Sequence, residues 1–235
     1  MAQKNYLVVG GSSGIGLSIV NKLVDEGHLV TVISRNTDQL GLHQHLTHLK
    51  ADVISDDFEK LTLPEILDGL VYCPGSIVLK PFKSLSEEQF TADFTINCLG
   101  AVRSIKATFN SLKKSVNSPS VVLFSTVAVS QGMPFHSSVA SAKGAVEGLT
   151  RSLAAEFAPG IRVNCIAPSL TDTPLAAKIL SSPEKISAVE QRHPLKTIGS
   201  PGDLAAISCF LLSSEAKWIS GQVIHVDGGL SALRV

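Results

Sequence analysis

A chain of 235 residues, 44% of them hydrophobic, carries enough apolar material for one well-filled core. Twenty basic and twenty acidic residues cancel to zero formal charge, which argues against nucleic acid or an anionic membrane as partner. The scattered cysteines (Cys73, Cys98, Cys165, Cys209) form no C-x-x-C pair, the N-terminus enters a strand without a signal-peptide pattern, and no apolar run reaches membrane-spanning length, so a soluble cytoplasmic protein with free thiols is expected.

Asn5 to Val9, NYLVV, reads as a short buried strand. GGSSGIG follows at Gly10 to Gly16 and opens a helix with Leu17, Val20, Leu23 and Val24 on one face, stopped at Gly27. Strand, glycine turn and helix in succession form the context of a phosphate cradle. Gly10 suits the tight turn, Gly14 the close approach of backbone to a pyrophosphate, and Gly16 the packing of helix on strand. Ser12, Ser13 and Ile15 complete the cradle, and the helix N-terminus turns free N–H groups toward the phosphates. The spacing is G-x-x-x-G-x-G, not the G-x-G-x-x-G of other dinucleotide folds.

Leu29 to Ile33 is the second strand, and it ends in Ser34-Arg35-Asn36. A cofactor with a free ribose 2′-hydroxyl calls for a carboxylate here, and this chain has none. Arg35 instead offers a guanidinium to a 2′-phosphate, with Ser12, Ser13 and Ser34 as further hydroxyl donors. NADP(H) is therefore favoured over NAD(H). His43, His45 and His48 lie in a polar segment with no thiol or carboxylate nearby, so they read as solvated surface and no metal site is expected.

Leu49 to Val53 is expected as the third strand and Leu67 to Cys73 as the fourth, with Pro74-Gly75 after it. Ser86 opens a helix whose Phe90, Phe94, Asn97, Ala101 and Ile105 share a face. Val121 to Ser125 is the fifth strand and delivers Thr126; the next helix carries Lys143 and runs through Val146, Leu149, Leu153 and Phe157. Ile161 to Ala167 is the sixth strand, followed by the loop Pro168 to Thr173. Residues 174–195 suit an amphipathic lid over a substrate or a plain surface helix pair. A helix capped by Asp203 and a seventh strand, Gln222 to Val226, close the chain. Strands alternating with helices mean a parallel sheet covered on both faces, and no linker divides residues 1–235.

GGSSGIG, Asp52-Val53, Asn97 in FTINCLGAV, Thr126, Lys143 and PSLTDT resemble, in order and spacing, the motifs of the short-chain dehydrogenase/reductase family, its ketoacyl-reductase-like members in particular. The resemblance implies an α/β fold, a single-domain Rossmann-type doubly wound sheet of seven strands in the order 3-2-1-4-5-6-7. It also implies hydride exchange between a nicotinamide and a carbonyl or alcohol. Asp52 and Val53 would meet the adenine, Gly75 would lie against the cofactor, and Pro168, Thr171 and Thr173 would meet the nicotinamide amide and phosphates. Lys143 would hold the nicotinamide ribose, Thr126 would take the family serine's place on the substrate oxygen, and Asn97 would hold a water in the proton relay. Family members pair the long helices starting near Ser86 and His136, which implies a homo-oligomer, a dimer or tetramer.

Three departures stand out. Val9 replaces a threonine, Tyr72-Cys73-Pro74-Gly75 replaces an NNAG run, and Val139 occupies the position of the family's tyrosine. Valine neither titrates nor donates, and losing a positioned acid typically costs ~10²–10⁴ in rate. A water on Lys143, His136 two helical turns before it, and Ser138, adjacent to Val139 but on a different helical face, are the remaining candidates for the proton. The reading is an NADP(H)-dependent oxidoreductase acting on a carbonyl or alcohol, slow or with a rerouted proton. The alternative is a catalytically silent NADP(H)-binding sensor or partner subunit.

Overall fold

Seven parallel strands form one sheet in the order β3-β2-β1-β4-β5-β6-β7: β1 is Asn5–Val9, β2 Leu29–Ser34, β3 Leu46–Lys50, β4 Gly69–Tyr72, β5 Ser120–Phe124, β6 Arg162–Pro168 and β7 Val223–Val226. The structure, a computed structural model, describes residues 2–37 and 39–234. The central strands are buried on both faces, so their sequences are continuous apolar runs and not alternating ones. Successive side chains still part to opposite faces. Leu7, Val9, Leu70 and Leu123 join one core with helices α3 (Gly100–Lys113) and α4 (Ser137–Phe157). Val8, Val32, Val71 and Val122 join the other, with α1 (Gly14–Asp25) and α6 (Pro201–Leu212). Two shorter helices complete the layers, α2 (Glu87–Phe94) and α5 (Pro183–Glu190). Among the described residues no helix is long and apolar enough to cross a membrane.

The expected order of strands is the one found, with corrections at particular elements. The third strand lies at Leu46–Lys50, three residues before the expected Leu49 to Val53. It is the sheet edge and is only half-covered, so its LTHLK sequence lacks an apolar run. Asp52 follows it in a turn, its Oδ1 accepting from Ile54 N at 2.9 Å. His48 therefore belongs to β3, where its Nε2 lies 2.9 Å from Ser34 Oγ, and not to a solvated loop. On α1, Ile19 is buried where Leu17 was expected, and Leu17 is only partly covered. The cap of α6 is Ser200, with Asp203 as its capping-box partner: Asp203 N donates to Ser200 Oγ at 3.2 Å and Ser200 N to Asp203 Oδ2 at 2.8 Å.

The helix begun at Ser86 is interrupted. A five-residue π turn, Thr95–Leu99, separates α2 from α3. A π turn holds more than one α-helical turn's worth of residues, so side chains before it fall out of phase with those after it. Asn97, Ala101 and Ile105 face inward, whereas Phe94 is 39% exposed. The single shared face expected for Phe90 through Ile105 is therefore two faces. In 174–195 the structure has a short 3-10 turn, Pro174–Ala176, then α5 with no buried residue.

Candidate active site

A cleft of about 440 Å³ opens at the C-terminal ends of β1, β2 and β4. Its floor is the glycine turn. Gly10 and Gly14 have φ of +77° and +52°, a region L side chains rarely adopt. Gly16 is required by space alone: a Cβ there would lie 2.2 Å from Gly10 O. Ser13 forms no side-chain cap on α1, and no acid occupies the first turn. Gly14, Ile15 and Gly16 thus line the cleft with N–H groups that neither the Ser13 side chain nor a first-turn acid occupies, a cradle suited to a dinucleotide's phosphates. Thr173 arches over the turn, its Cβ 3.4 Å from where a Gly14 side chain would begin.

Arg35 and Asn36 are exposed on one wall, and Asp52, Val53 and Ile54 line the cleft beside them. Ser34 also lines it, but its hydroxyl donates to Asn36 O at 2.6 Å, so it is committed within the loop and is not the free phosphate donor expected. Ser12 Oγ donates to Asn36 Oδ1 at 3.4 Å, a long contact that leaves it more adaptable. Pro168 and Thr171 are not among the residues lining this cleft. Pro168 closes β6 against Val226, and the Thr171 hydroxyl donates to Ser169 O at 3.1 Å.

At the far end, Gly75 marks where Asn97 and Lys143 meet. A Cβ on Gly75 would lie 2.9 Å from Asn97 Oδ1 and 3.5 Å from Lys143 Nζ, so both polar atoms face one small volume. The π turn sets Asn97 there, and its displaced carbonyls find other donors. Tyr72 OH donates to Ile96 O at 2.5 Å, and Asn97 Nδ2 donates to Asp93 O at 2.8 Å. Gly100 leaves room for the phenol, since a Cβ there would lie 2.0 Å from Tyr72 OH. Asn97 Oδ1 is buried with no hydrogen-bond partner among the described residues.

Lys143 Nζ donates to Phe124 O at 2.8 Å. Burial lowers its ammonium to about 8, and nearby Cys165, Cys73, Cys98 and Asp93 act in the opposite direction. Burial in turn pushes the Cys73 and Cys165 thiols up to about 12, so near neutral pH they bring no charge to the site. Thr126 Oγ1 accepts from Ala128 N at 3.3 Å, which leaves its hydrogen free for a substrate oxygen. Val139 sits one turn before Lys143 on α4 and is 4% exposed.

His136 does not join this group. It precedes the first turn of α4, its Nδ1 lies 2.7 Å from Pro134 O, and seven helical residues (~10 Å of rise) separate it from Lys143. The direct relay expected of it is not formed. What sequence reasoning missed is a carboxylate: Asp93, 2% exposed, is held by Ser76 and Ser138 hydroxyls beside Asn97. Its spacing of four residues from Asn97 on a helix was the available signal.

Residues 9–231 match the family described as enoyl-(acyl carrier protein) reductase. A tropinone reductase homolog of Arabidopsis thaliana is 32% identical over 98% of this chain and 93% of its own. The ligand-free aldohexose dehydrogenase of Thermoplasma acidophilum superposes with a TM-score of 0.91 at 31% identity, covering 99% of this chain and 95% of that one. The structure of ElxO with NADP bound superposes at 0.88 with 25% identity, covering 99% and 100%.

Proposed function

The chain belongs to the short-chain dehydrogenase/reductase family of NAD(P)-dependent oxidoreductases, and on that premise we propose that it reduces a small carbonyl compound, or oxidises the matching alcohol, with NADP(H). The observation that carries this reading is the meeting of the Lys143 ammonium and the Asn97 amide oxygen over Gly75, at the end of a cleft built for a dinucleotide. A bound nicotinamide supplies or accepts the hydride. Arg35, exposed on the cleft wall with no carboxylate at the strand end, favours the 2′-phosphorylated cofactor. Asp52, Val53 and Thr173 flank its remaining surface.

Thr126 orients the substrate oxygen with its uncommitted hydroxyl hydrogen. Val139 occupies the position of the family's tyrosine and offers no proton. Lys143, with its ammonium near 8, holds a proton at Nζ at neutral pH and passes it through a water in the space a phenol would fill. Turnover is accordingly slow. Residues 174–195 cover the substrate side. The groove between α2 and α4, lined by Phe94, Leu99 and Ala142, supports pairing with a second copy. The free thiols accord with a reducing compartment such as the cytoplasm.

The second reading, a silent NADP(H)-binding sensor or partner subunit, is favoured by one observation: Val139 is buried and apolar beside Lys143. An NADPH-oxidation screen over ketones, aldehydes and quinones, run in parallel with bound-cofactor fluorescence, separates the two. Turnover with any carbonyl class supports the enzyme. Binding without turnover supports the sensor.

A further inference from the structure

The shape of the Asn97 amide allows two seatings, and only one of them turns its oxygen toward Lys143. In the structure Nδ2 donates to Asp93 O at 2.8 Å and to Ser76 Oγ at 3.0 Å, which leaves Oδ1 over Gly75. A serine hydroxyl is normally ambivalent and would serve a flipped amide equally well by donating to its oxygen. Here it is not free to do so. The Ser76 hydrogen goes to Asp93 Oδ1, a bond to a charged acceptor that outcompetes one to a neutral amide. Ser138 donates to the other carboxylate oxygen, Oδ2, at 2.5 Å and holds the carboxylate between α2 and α4. Ser76 Oγ is thereby left as an acceptor, and a flipped amide would set acceptor against acceptor at both contacts.

We propose that Asp93 is a positioning residue of the active site: its main-chain carbonyl accepts from Asn97 Nδ2, its carboxylate takes the Ser76 hydrogen, and the two together fix the Asn97 amide with its oxygen toward Lys143. The inference rests on the reading of Asn97 and Lys143 as the reactive centre, and it explains what holds that centre in a chain where Tyr72-Cys73-Pro74-Gly75 supplies no side-chain amide after β4. A plain structural tie between α2 and α4 would need only the Ser138 bond. The Ser76 bond reaches the other way, into the loop that follows Gly75.

Titration of Lys143 reads this orientation without any turnover, so a failure here and a failure of the proposed reaction are distinguishable. The groups facing Lys143 are Cys73 after β4, Cys98 in the π turn, Cys165 on β6 and Asp93 on α2. Glu147, on its own helix, accepts from Ser125 at 2.7 Å and pairs with Arg151 at 3.6 Å. The experiment is an NMR pH titration of the protein labelled with 13Cε-lysine, the Lys143 signal assigned with Lys143→Gln, on folded Asp93→Asn, Ser76→Ala and Ser138→Ala variants. Asp93→Asn replaces the charged acceptor of the Ser76 hydrogen with a neutral amide oxygen, so that the Asn97 oxygen can compete for that hydrogen. Ser76→Ala leaves the amide held by one bond in place of two. In both, Lys143 should titrate lower by at least about half a pH unit, and in Ser138→Ala by less than about 0.2. An unchanged Lys143 in Ser76→Ala overturns the proposal whatever Asp93→Asn does, because loss of a nearby carboxylate lowers an ammonium through space alone. If Asp93→Asn does not fold, the contrast between Ser76→Ala and Ser138→Ala decides.

Discussion

At the Gly10–Gly16 end of the cleft the geometry is made by one stretch of backbone; at the Asn97–Lys143 end it is made by side chains and a carbonyl drawn from four separate segments. The first end needs positive φ at two glycines and the absence of a Cβ at a third. Few sequences satisfy this, and the element is contiguous in the chain. The second end depends on a π turn, a carbonyl at the end of β5, a loop after β4 and one face of α4. Each part tolerates substitution alone, and Val139 is such a substitution. Cofactor binding and proton handling are therefore separable properties of this molecule, with the first harder to lose gradually.

The contrast is broken most severely at Gly16. Gly16→Ala sets a methyl group 2.2 Å from Gly10 O, and neither backbone segment can retreat without opening the turn. NADPH affinity by fluorescence titration should fall by at least ~100-fold, with a loss of stability of about 2–4 kcal/mol by denaturant unfolding. Retained affinity would mean that the turn is not the phosphate site. Arg35→Ala, at the same end, should weaken NADPH by ~10-fold or more and leave NADH unchanged, so that the two cofactors bind alike. Equal affinities in the unmodified protein would already refute the NADP assignment.

At the other end, Val139→Tyr should raise carbonyl reduction by at least ~10-fold with little effect on cofactor affinity. An unaltered rate would show that the site has diverged beyond one residue. The last effect concerns stability. The Lys143 ammonium is depressed in the folded state from 10.5 to about 8. Below pH 8 both states are protonated and the folded one bears the full cost of burial. Between 8 and 10.5 the unfolded chain binds more protons, so the Lys143 contribution becomes more favourable as pH rises. Lys143→Met should then be more stable than the parent by on the order of 2–3 kcal/mol at pH 7, and that advantage should vanish by about pH 10.5. A pH-independent difference would mean that Lys143 is not buried as an ammonium.

The same contrast governs what could be read from the residues in order. Central strands announce themselves as apolar runs, and GGSSGIG announces its turn, because in both cases neighbouring residues carry the constraint. β3 escaped because it is an edge strand whose polar side chains are wetted. Asp93, Ser76 and Ser138 escaped for the converse reason: in a linear sequence a buried polar residue is indistinguishable from a surface one until its partners, here 17 and 45 residues away, are known. His136 misled because separation in whole helical turns suggests proximity on a face, whereas the helix begins only after it. Ser125, next to Thr126 in sequence, donates instead to Glu147.

The π turn between α2 and α3 makes chain length itself a coded quantity. Such a turn is the mark of one residue added to an α-helix. Removing a residue from 95–99 would let the hydrogen-bond ladder close as a regular helix, a locally favourable repair. It would also rotate everything before the repair by about 100° relative to α3. Asp93 would swing off Ser138, and the Ser86-capped start would leave its seat near α4, while Ala101 and Ile105 kept their places in the core. A single deletion here would be structurally mild and functionally severe, the opposite of what surface position and helix continuity would suggest.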